Sequence, residues 1–321
     1  MEVISRLAAC WLAAALLATG AAAQPFPTRP VRIVVPFPPG GAVDILARVV
    51  GQKLGDKWMQ SVIVENRPGG GTVLGTDIVA KSPADGYTLL LAVTAHAINA
   101  TLVDKLPFDP VRDFAPISLA ATAPNILVAH PSVPAGSVAE LIAYAKANPG
   151  KLNFGSPGNG TAMHLSGELF KSAACIDVVH VPYKGTQPVL TALLAGEVSY
   201  TFDAGVSMQQ VRAGKLKALA VTSAKRAAIA PQLPTMAEAG LPGFEAQSWY
   251  GFLAPAGTPP AIVDQLSRDI NETLRDAGVR ERLERVALDP LGTSPMEFEQ
   301  YLRADIVKWG RIVRASGAKA D

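Results

Sequence analysis

A short β-branched run that breaks into a Pro/Gly loop and then into an apolar helix opens each half of this sequence, and that pattern leaves few folds available. In the first half, Arg32-Ile-Val-Val-Pro-Phe-Pro-Pro-Gly-Gly41 leads into a segment with Val43, Leu46, Val50 and Leu54 at helical spacing. Strand, glycine loop and helix in that order predict a βα unit. Residues 61–64 predict a second strand, and 65–72 turn into a helix carrying Val73, Ile78 and Val79. Residues 87–93 are wholly apolar, as in a strand covered on both faces. The second half repeats the order: strand 151–155, glycine loop 156–161, helix 162–173, strand 177–181, helix from 186 and strand 197–202. Residue identity between the halves is low, but the element order and loop chemistry agree. They predict two α/β lobes of like topology, with a mostly parallel sheet in each and right-handed crossovers. Ligands of such sheets bind beyond the carboxyl ends of the strands. Two facing lobes would therefore bring both sets of glycine loops to one cleft.

The segments between and after the halves predict how the lobes connect. Residues 114–129 form a long extended run suited to a strand passing from one lobe to the other, and 247–253 suit the return. Lobe 1 is then expected from 24–123 and 249–321, and lobe 2 from 124–248. Ser137-Val-Ala-Glu140, Thr235-Met-Ala-Glu238 and Ser294-Pro-Met-Glu297 are capping boxes that predict helix starts, the second of them a short helix ended by Gly240. Ile262, Leu266, Ile270 and Leu274 draw one stripe, as do Phe298, Leu302, Ile306, Trp309 and Val313, which predicts helices returning to cover lobe 1.

The first residues read as an export signal. Arg6 supplies the charge, residues 7–18 the apolar stretch and Ala21-Ala22-Ala23 a cleavage site before Gln24. Most of the apolar stretch follows Cys10, so Leu7-Ala-Ala-Cys10 is not expected to carry a lipid anchor. No other stretch reaches the roughly 18 apolar residues of a spanning helix. With Cys10 removed, Cys175 is alone, which excludes an internal disulfide; its flanks suit a buried structural thiol. A net charge of +2 without a basic block gives no footing for nucleic acid.

Catalytic and metal motifs are missing. Ser156 has Phe154 where a nucleophile elbow needs glycine, and Pro157 follows it. His96, His130, His164 and His180 have no metal spacing. No cofactor or metal is expected. What remains is a set of glycine-rich helix starts: Gly40-Gly41, Gly70-Gly71-Thr72, Gly158 to Thr161 and Gly185-Thr186. The first N–H groups of a helix lack internal partners and attract anions. An N-cap side chain would normally satisfy them, and Gly40-Gly41 has none. The same loop also suits an ordinary tight turn with water on its amides. Only Arg67 and Lys184 are basic there, so a carboxylate held by amides, hydroxyls and water fits better than one gripped by arginine. Phe37 and Trp249 suit either the wall of an apolar site or the core.

Six stretches together resemble one family. They are Gln24-Pro-Phe-Pro-Thr-Arg-Pro-Val-Arg-Ile-Val-Val-Pro-Phe-Pro-Pro-Gly-Gly41, Glu65-Asn-Arg-Pro-Gly-Gly-Gly71, Pro83-Ala-Asp-Gly-Tyr-Thr-Leu89, Asn153-Phe-Gly-Ser-Pro-Gly-Asn-Gly160, Val181-Pro-Tyr-Lys-Gly185 and Trp249-Tyr-Gly-Phe-Leu-Ala-Pro-Ala-Gly-Thr-Pro259. They look like the substrate-binding proteins of tripartite tricarboxylate transporters, the Bug family. The resemblance implies a two-lobe periplasmic binding protein of the Venus flytrap, type II-like class. It implies a monomer that closes on a small carboxylate, an organic acid or acidic amino acid, and delivers it to the large and small membrane subunits of a transporter. By the same matching, the ligand lies between Phe37, Pro39, Gly40 and Gly41 on one side and Ser156, Gly158, Asn159 and Thr161 on the other, with bridging waters. Thr94, Ala95, His96, Tyr183, Gly185 and Asp203 would line the cleft, and His164 and Trp249 are further carry-overs. Asp203 suits either an amino group of the ligand or the capping of its own turn. The competing reading is a secreted hydrolase using Ser156 or Cys175, with Ser156, His164 and Asp203 as the conceivable triad.

Overall fold

The computed structural model describes residues 26–227 and 229–320; the expected export signal lies outside them. Strand β1 (Val31–Val35), helix α1 (Ala42–Trp58), β2 (Val62–Asn66), α2 (Val73–Ala80) and β3 (Thr88–Val93) form the first β-α-β-α-β series. All six residues of β3 are buried, as its unbroken apolar run requires. Helix α3 (Ala95–Leu102) follows. Then β4 (Phe114–Ala123) and β5 (Ile126–Ala129) are separated only by Pro124 and Asn125. The second series is α4 (Val138–Ala147), β6 (Asn153–Ser156), α5 (Ala162–Ala174), β7 (Val179–Pro182), α6 (Thr186–Ala195), β8 (Tyr200–Asp203), α7 (Met208–Arg212) and β9 (Lys217–Val221). The chain closes with β10 (Ser248–Pro255), α8 (Pro260–Arg275), α9 (Ala277–Glu284), β11 (Asp289–Pro290) and α10 (Pro295–Ser316).

Two sheets result. The six-stranded sheet has the order β11-β4-β10-β3-β1-β2 and the five-stranded sheet β7-β6-β8-β5-β9. The orders β2-β1-β3 and β7-β6-β8 correspond, and these strands pair in parallel, as the repeated series predicts. Each sheet is mixed, with most strands running one way and β10 and β11 opposed in the first and β5 in the second. The strands that carry the chain across, β4, β5 and β10, and their outer neighbours enter antiparallel. Their direction is set by where the chain comes from, not by a helical crossover. The long run 114–129 passes between the sheets, and 248–255 returns to the first, as expected.

At the crossing, Asn125 is fully buried. Its Nδ2 donates to Ala246 O at 2.9 Å and to Ser166 Oγ at 3.1 Å, while its Oδ1 accepts from Ser248 Oγ at 3.1 Å. Thr222 joins it through backbone and hydroxyl bonds. One buried amide therefore ties both crossing segments to α5.

The apolar core follows from the same layout. One face of the first sheet (Ile33, Leu89, Phe252) packs under α1 and α8. Its other face (Val34, Leu90) shares a continuous core with Phe154, Tyr200 and Phe202 of the second sheet. Helix α10 binds these together, because it packs on α3 and β4 in lobe 1 and on α5 in lobe 2. The C-terminal helices thus cover more than lobe 1. The Thr235 capping box is formed, with Thr235 Oγ1 accepting from Glu238 N at 3.0 Å, but it closes a single turn and not a helix. Gly240 and Pro242 leave no room for a second turn. No helix among the described residues is long and apolar enough to cross a membrane.

Candidate functional site

Strand directions bring the two sets of loops to one region. β10 runs antiparallel to both β3 and β4, so β4 leaves its sheet at the carboxyl edge of β1 and β3. β5 enters the second sheet with Ile126 opposite Asp203, at the carboxyl end of β8. The carboxyl edges of both sheets therefore flank the crossing. The lobes touch there: a Cβ on Gly160 would stand 2.3 Å from Leu102 Cδ2 and 4.0 Å from Asn99 Oδ1. Asn99 in turn donates to Gly71 O at 2.8 Å. Through α3, a glycine loop of each lobe meets the other. A small recess in lobe 2, lined by Pro157, Thr186, Asp203 and Ser207 among others, shows the three loops after β6, β7 and β8 converging.

The loop after β1 is braced from beneath by an acid. Phe37 is half-buried, while Pro39, Gly40 and Gly41 are exposed. Asp44, in the first turn of α1 and 3% exposed, accepts from Gly40 N at 3.0 Å, Arg48 Nε at 2.9 Å and Asn66 Nδ2 at 2.9 Å. Asn66 Nδ2 also donates to Phe37 O at 3.0 Å. Burial is the largest influence on the Asp44 carboxyl and pushes its pKa up, but the bonds from Arg48, Gly40 and Asn66 together outweigh it and hold the pKa below the usual value. Its stabilisation is therefore present above the unfolded carboxylate pKa and is lost as pH falls through the lower folded value. Asp44→Ala is expected to lower stability by about 1–2 kcal/mol, because its partners regain water at the surface. Urea unfolding at neutral pH checks it, and Asp44→Asn should lose less; equal losses for both variants would contradict the brace. Gly41 is the N-cap of α1, with no side-chain cap.

The loop after β6 is more self-contained than its glycine content suggests. Ser156 is fully buried. Its Oγ accepts from Gly158 N at 3.3 Å and lies 2.7 Å from His180 Nε2. Thr161 caps α5 by accepting from His164 N at 3.2 Å and donates its hydroxyl to Gly158 O at 2.9 Å. Gly160 N donates to His164 Nδ1 at 3.2 Å. Gly158, Asn159 and Thr161 remain half-buried, as do Tyr183 and Gly185 of the next loop. Burial pushes the Tyr183 hydroxyl pKa up, with Glu197 adding to it. Helix α6 starts at Gly185 without a side-chain cap.

Several residues expected at the cleft are buried and bonded within the chain. His96 is 2% exposed and lies between Phe108 and Phe114, with Nε2 donating to Pro110 O at 2.8 Å. Burial pushes its pKa down to about 4. Trp249 is fully buried against Phe298 and Tyr301, and its Nε1 donates to Asp305 Oδ2 at 2.7 Å. Trp249 is a core residue whose N–H serves the interior, whereas the Nδ1 of His96 is buried without a hydrogen-bond partner. Thr94 and Ala95 are buried as well, and Thr94 Oγ1 accepts from Trp249 N at 2.8 Å. Asp203 caps its own turn: Val206 N at 2.8 Å, Ser207 N at 2.7 Å and the Ser207 hydroxyl all donate to it. Burial nevertheless raises its pKa above the usual value. With that carboxylate engaged, and Ser156 bonded to His180 instead of His164, the Ser156–His164–Asp203 triad is not assembled. Cys175 is exposed, not buried. It sits past the end of α5 with φ of 50°, where the helix turns away and Ile176 takes the buried place. Sequence reading passed over Asp44, Asn66 and Asn99, and named His180 without giving it a place at the site. The i, i+4 pair Asp44/Arg48 was readable; the others need strand register, such as Phe154 opposite His180.

Comparison with known proteins agrees with this geometry. Residues 46–318 match the family described as the tripartite tricarboxylate transporter family receptor. The protein BugT of Bordetella pertussis is 38% identical over 312 residues, covering 96% of each chain. Among solved structures, Rpa4515 of R. palustris with adipate is 38% identical with a TM-score of 0.84, covering 92% of this chain and 99% of that one. MatC from Rhodopseudomonas palustris with bound malate is 33% identical with a TM-score of 0.79, covering 90% of this chain and all of that one. This chain belongs to the tripartite tricarboxylate transporter receptor family and is a solute-binding receptor, not an enzyme.

Proposed function

We propose that the protein is an extracytoplasmic receptor that captures a small carboxylate between its lobes, by closure, and delivers it to the large and small membrane subunits of a tripartite transporter. It does so as an exported monomer, with lobe 1 formed by 24–123 and 249–321 and lobe 2 by 124–248. The observation that carries this reading is Gly41. Its φ of −83° and ψ of 171° suit any residue, and a Cβ there would meet nothing within 4 Å. Neither strain nor packing within the chain calls for glycine. The missing side chain leaves the uncapped start of a 17-residue helix open to an approaching anion. At the start of α6, Gly185 likewise leaves the helix without a side-chain cap, although its φ of 111° itself favours glycine. Arg67 is paired with Glu65 and does not compete for the ligand. Adipate and malate, bound in the two relatives, are small carboxylates of the class proposed here.

A thermal-shift panel on the mature protein tests the reading. An acid present at a hundred times its Kd should add about 2.7 kcal/mol to stability. Small acids including adipate, malate and glutamate form the panel. If none of them raises the melting temperature at millimolar excess, the ligand class is wrong.

A further inference from the structure

We infer that His164 and His180 form a stacked platform that positions the second ligand loop, and that the His164 ring must be neutral for residues 156–161 to keep the conformation that receives an anion. The inference rests on the receptor reading above and goes beyond it by naming what holds the loop. The two rings lie 3.9 Å apart between centroids and 15° from parallel. Phe154 stacks on His180 at 4.7 Å and on His164 at 6.4 Å. Each ring then reaches the loop. His164 Nδ1 takes the N–H of Gly160 directly. His180 Nε2 is bonded to Ser156 Oγ, which takes the N–H of Gly158.

Chemistry fixes the protonation state these bonds need. To accept from Gly160, His164 Nδ1 must carry its lone pair, which places the ring proton on Nε2. Protonation at Nδ1 would set one N–H against another and release Gly160. His164 is 4% exposed, and burial, with Lys171 adding, pushes its pKa down to about 4. The surrounding groups do not reverse this. On its own helix, Lys171 is paired with Glu168. β7 supplies His180, and β8 supplies Tyr200 on the other side of Phe154. Across the lobes, α3 brings only Asn99 and Leu102 to Gly160. On α10, Asp305 is engaged by Lys308 and two indoles. Because the folded pKa of His164 lies below the unfolded one, its neutral ring is fully supported above pH 6.5 and loses support as pH falls toward 4.

Amide hydrogen exchange by mass spectrometry, corrected for intrinsic rates, tests this without any ligand. Between pH 8 and pH 5, protection of peptides covering 156–161 should fall by about tenfold in the wild type. His164→Asn offers an oxygen to Gly160 N and cannot titrate, so its protection should change by less than about threefold over the same range. If His164→Asn does not fold, 15N NMR of the wild-type ring decides: His164 Nδ1 should be unprotonated at pH 8, and a proton on Nδ1 there overturns the proposal. Parallel loss in wild type and variant, or no loss in the wild type, overturns the proposal. Adipate titrations at each pH add a second readout. The wild type should lose affinity with acid faster than His164→Asn, and the acid's own titration cancels between them. If adipate binds neither protein, the choice of ligand fails while the exchange result still decides the platform.

Discussion

Asp305→Ala should destabilise the protein by about 3–5 kcal/mol, among the largest losses any single side chain here can produce. The carboxylate is 3% exposed and receives the indole N–H groups of Trp249 at 2.7 Å and Trp309 at 2.8 Å, both fully buried. Lys308 Nζ adds a contact at 2.6 Å. Alanine leaves two donors in the interior with no acceptor, each worth about 1–3 kcal/mol. Lys308 can turn to water, so its share is small. The loss should appear in urea unfolding as a lower midpoint at unchanged slope. Asp305→Asn keeps one acceptor and should recover part of it. A loss below about 1 kcal/mol for the alanine variant would show that water replaces the carboxylate, and the hub would not exist.

Gly167→Ala should also be severe, although alanine favours a helix over glycine by about 1 kcal/mol. A Cβ at this position of α5 would stand 2.2, 2.5 and 2.7 Å from three atoms of the Phe154 ring. That ring is fully buried and flanked by His180 at 4.7 Å and Tyr200 at 5.7 Å, so it cannot retreat. Overpacking of this kind costs about 1–3 kcal/mol or more, which outweighs the helix gain. The phenylalanine it displaces carries the histidine platform, so ligand affinity should fall with stability. Gly167→Ala combined with Phe154→Leu should be more stable than Gly167→Ala alone. A single variant as stable as wild type would mean that the helix shifts to make room.

The parts of this fold that were legible in the sequence are those set by neighbours along the chain. β-Branched runs, glycine loops and helical stripes located both β-α-β-α-β series, and Ser294 with Glu297 gave the start of α10, where the full capping box is present. Features set by pairing were not legible. Nothing local says that β4 and β10 lie side by side in the middle of their sheet, so the mixture of strand directions was missed. The site divides in the same way. The glycine loops were found, because glycine marks them, but the side chains beneath them were not. His180 reaches Ser156 only through the parallel register of β6 and β7. Trp249 and His96 were carried into the cleft by resemblance, whereas their donors face Asp305 and Pro110. Asp203 suited a ligand or its own turn on sequence grounds, and its carboxylate is bonded within the turn.

The placement of β10 has a consequence for the order in which the molecule can be assembled. It lies between β3 and β4, yet it arrives after the whole second sheet has been supplied. All strands of the five-stranded sheet are supplied by residue 221, and the segment that bridges its edge at Thr235 follows soon after. The six-stranded sheet has an unfilled middle until residue 255 is available. A chain emerging amino end first can therefore finish its inserted half while the half that begins it still waits, with β3 and β4 as open edges in need of protection from other chains.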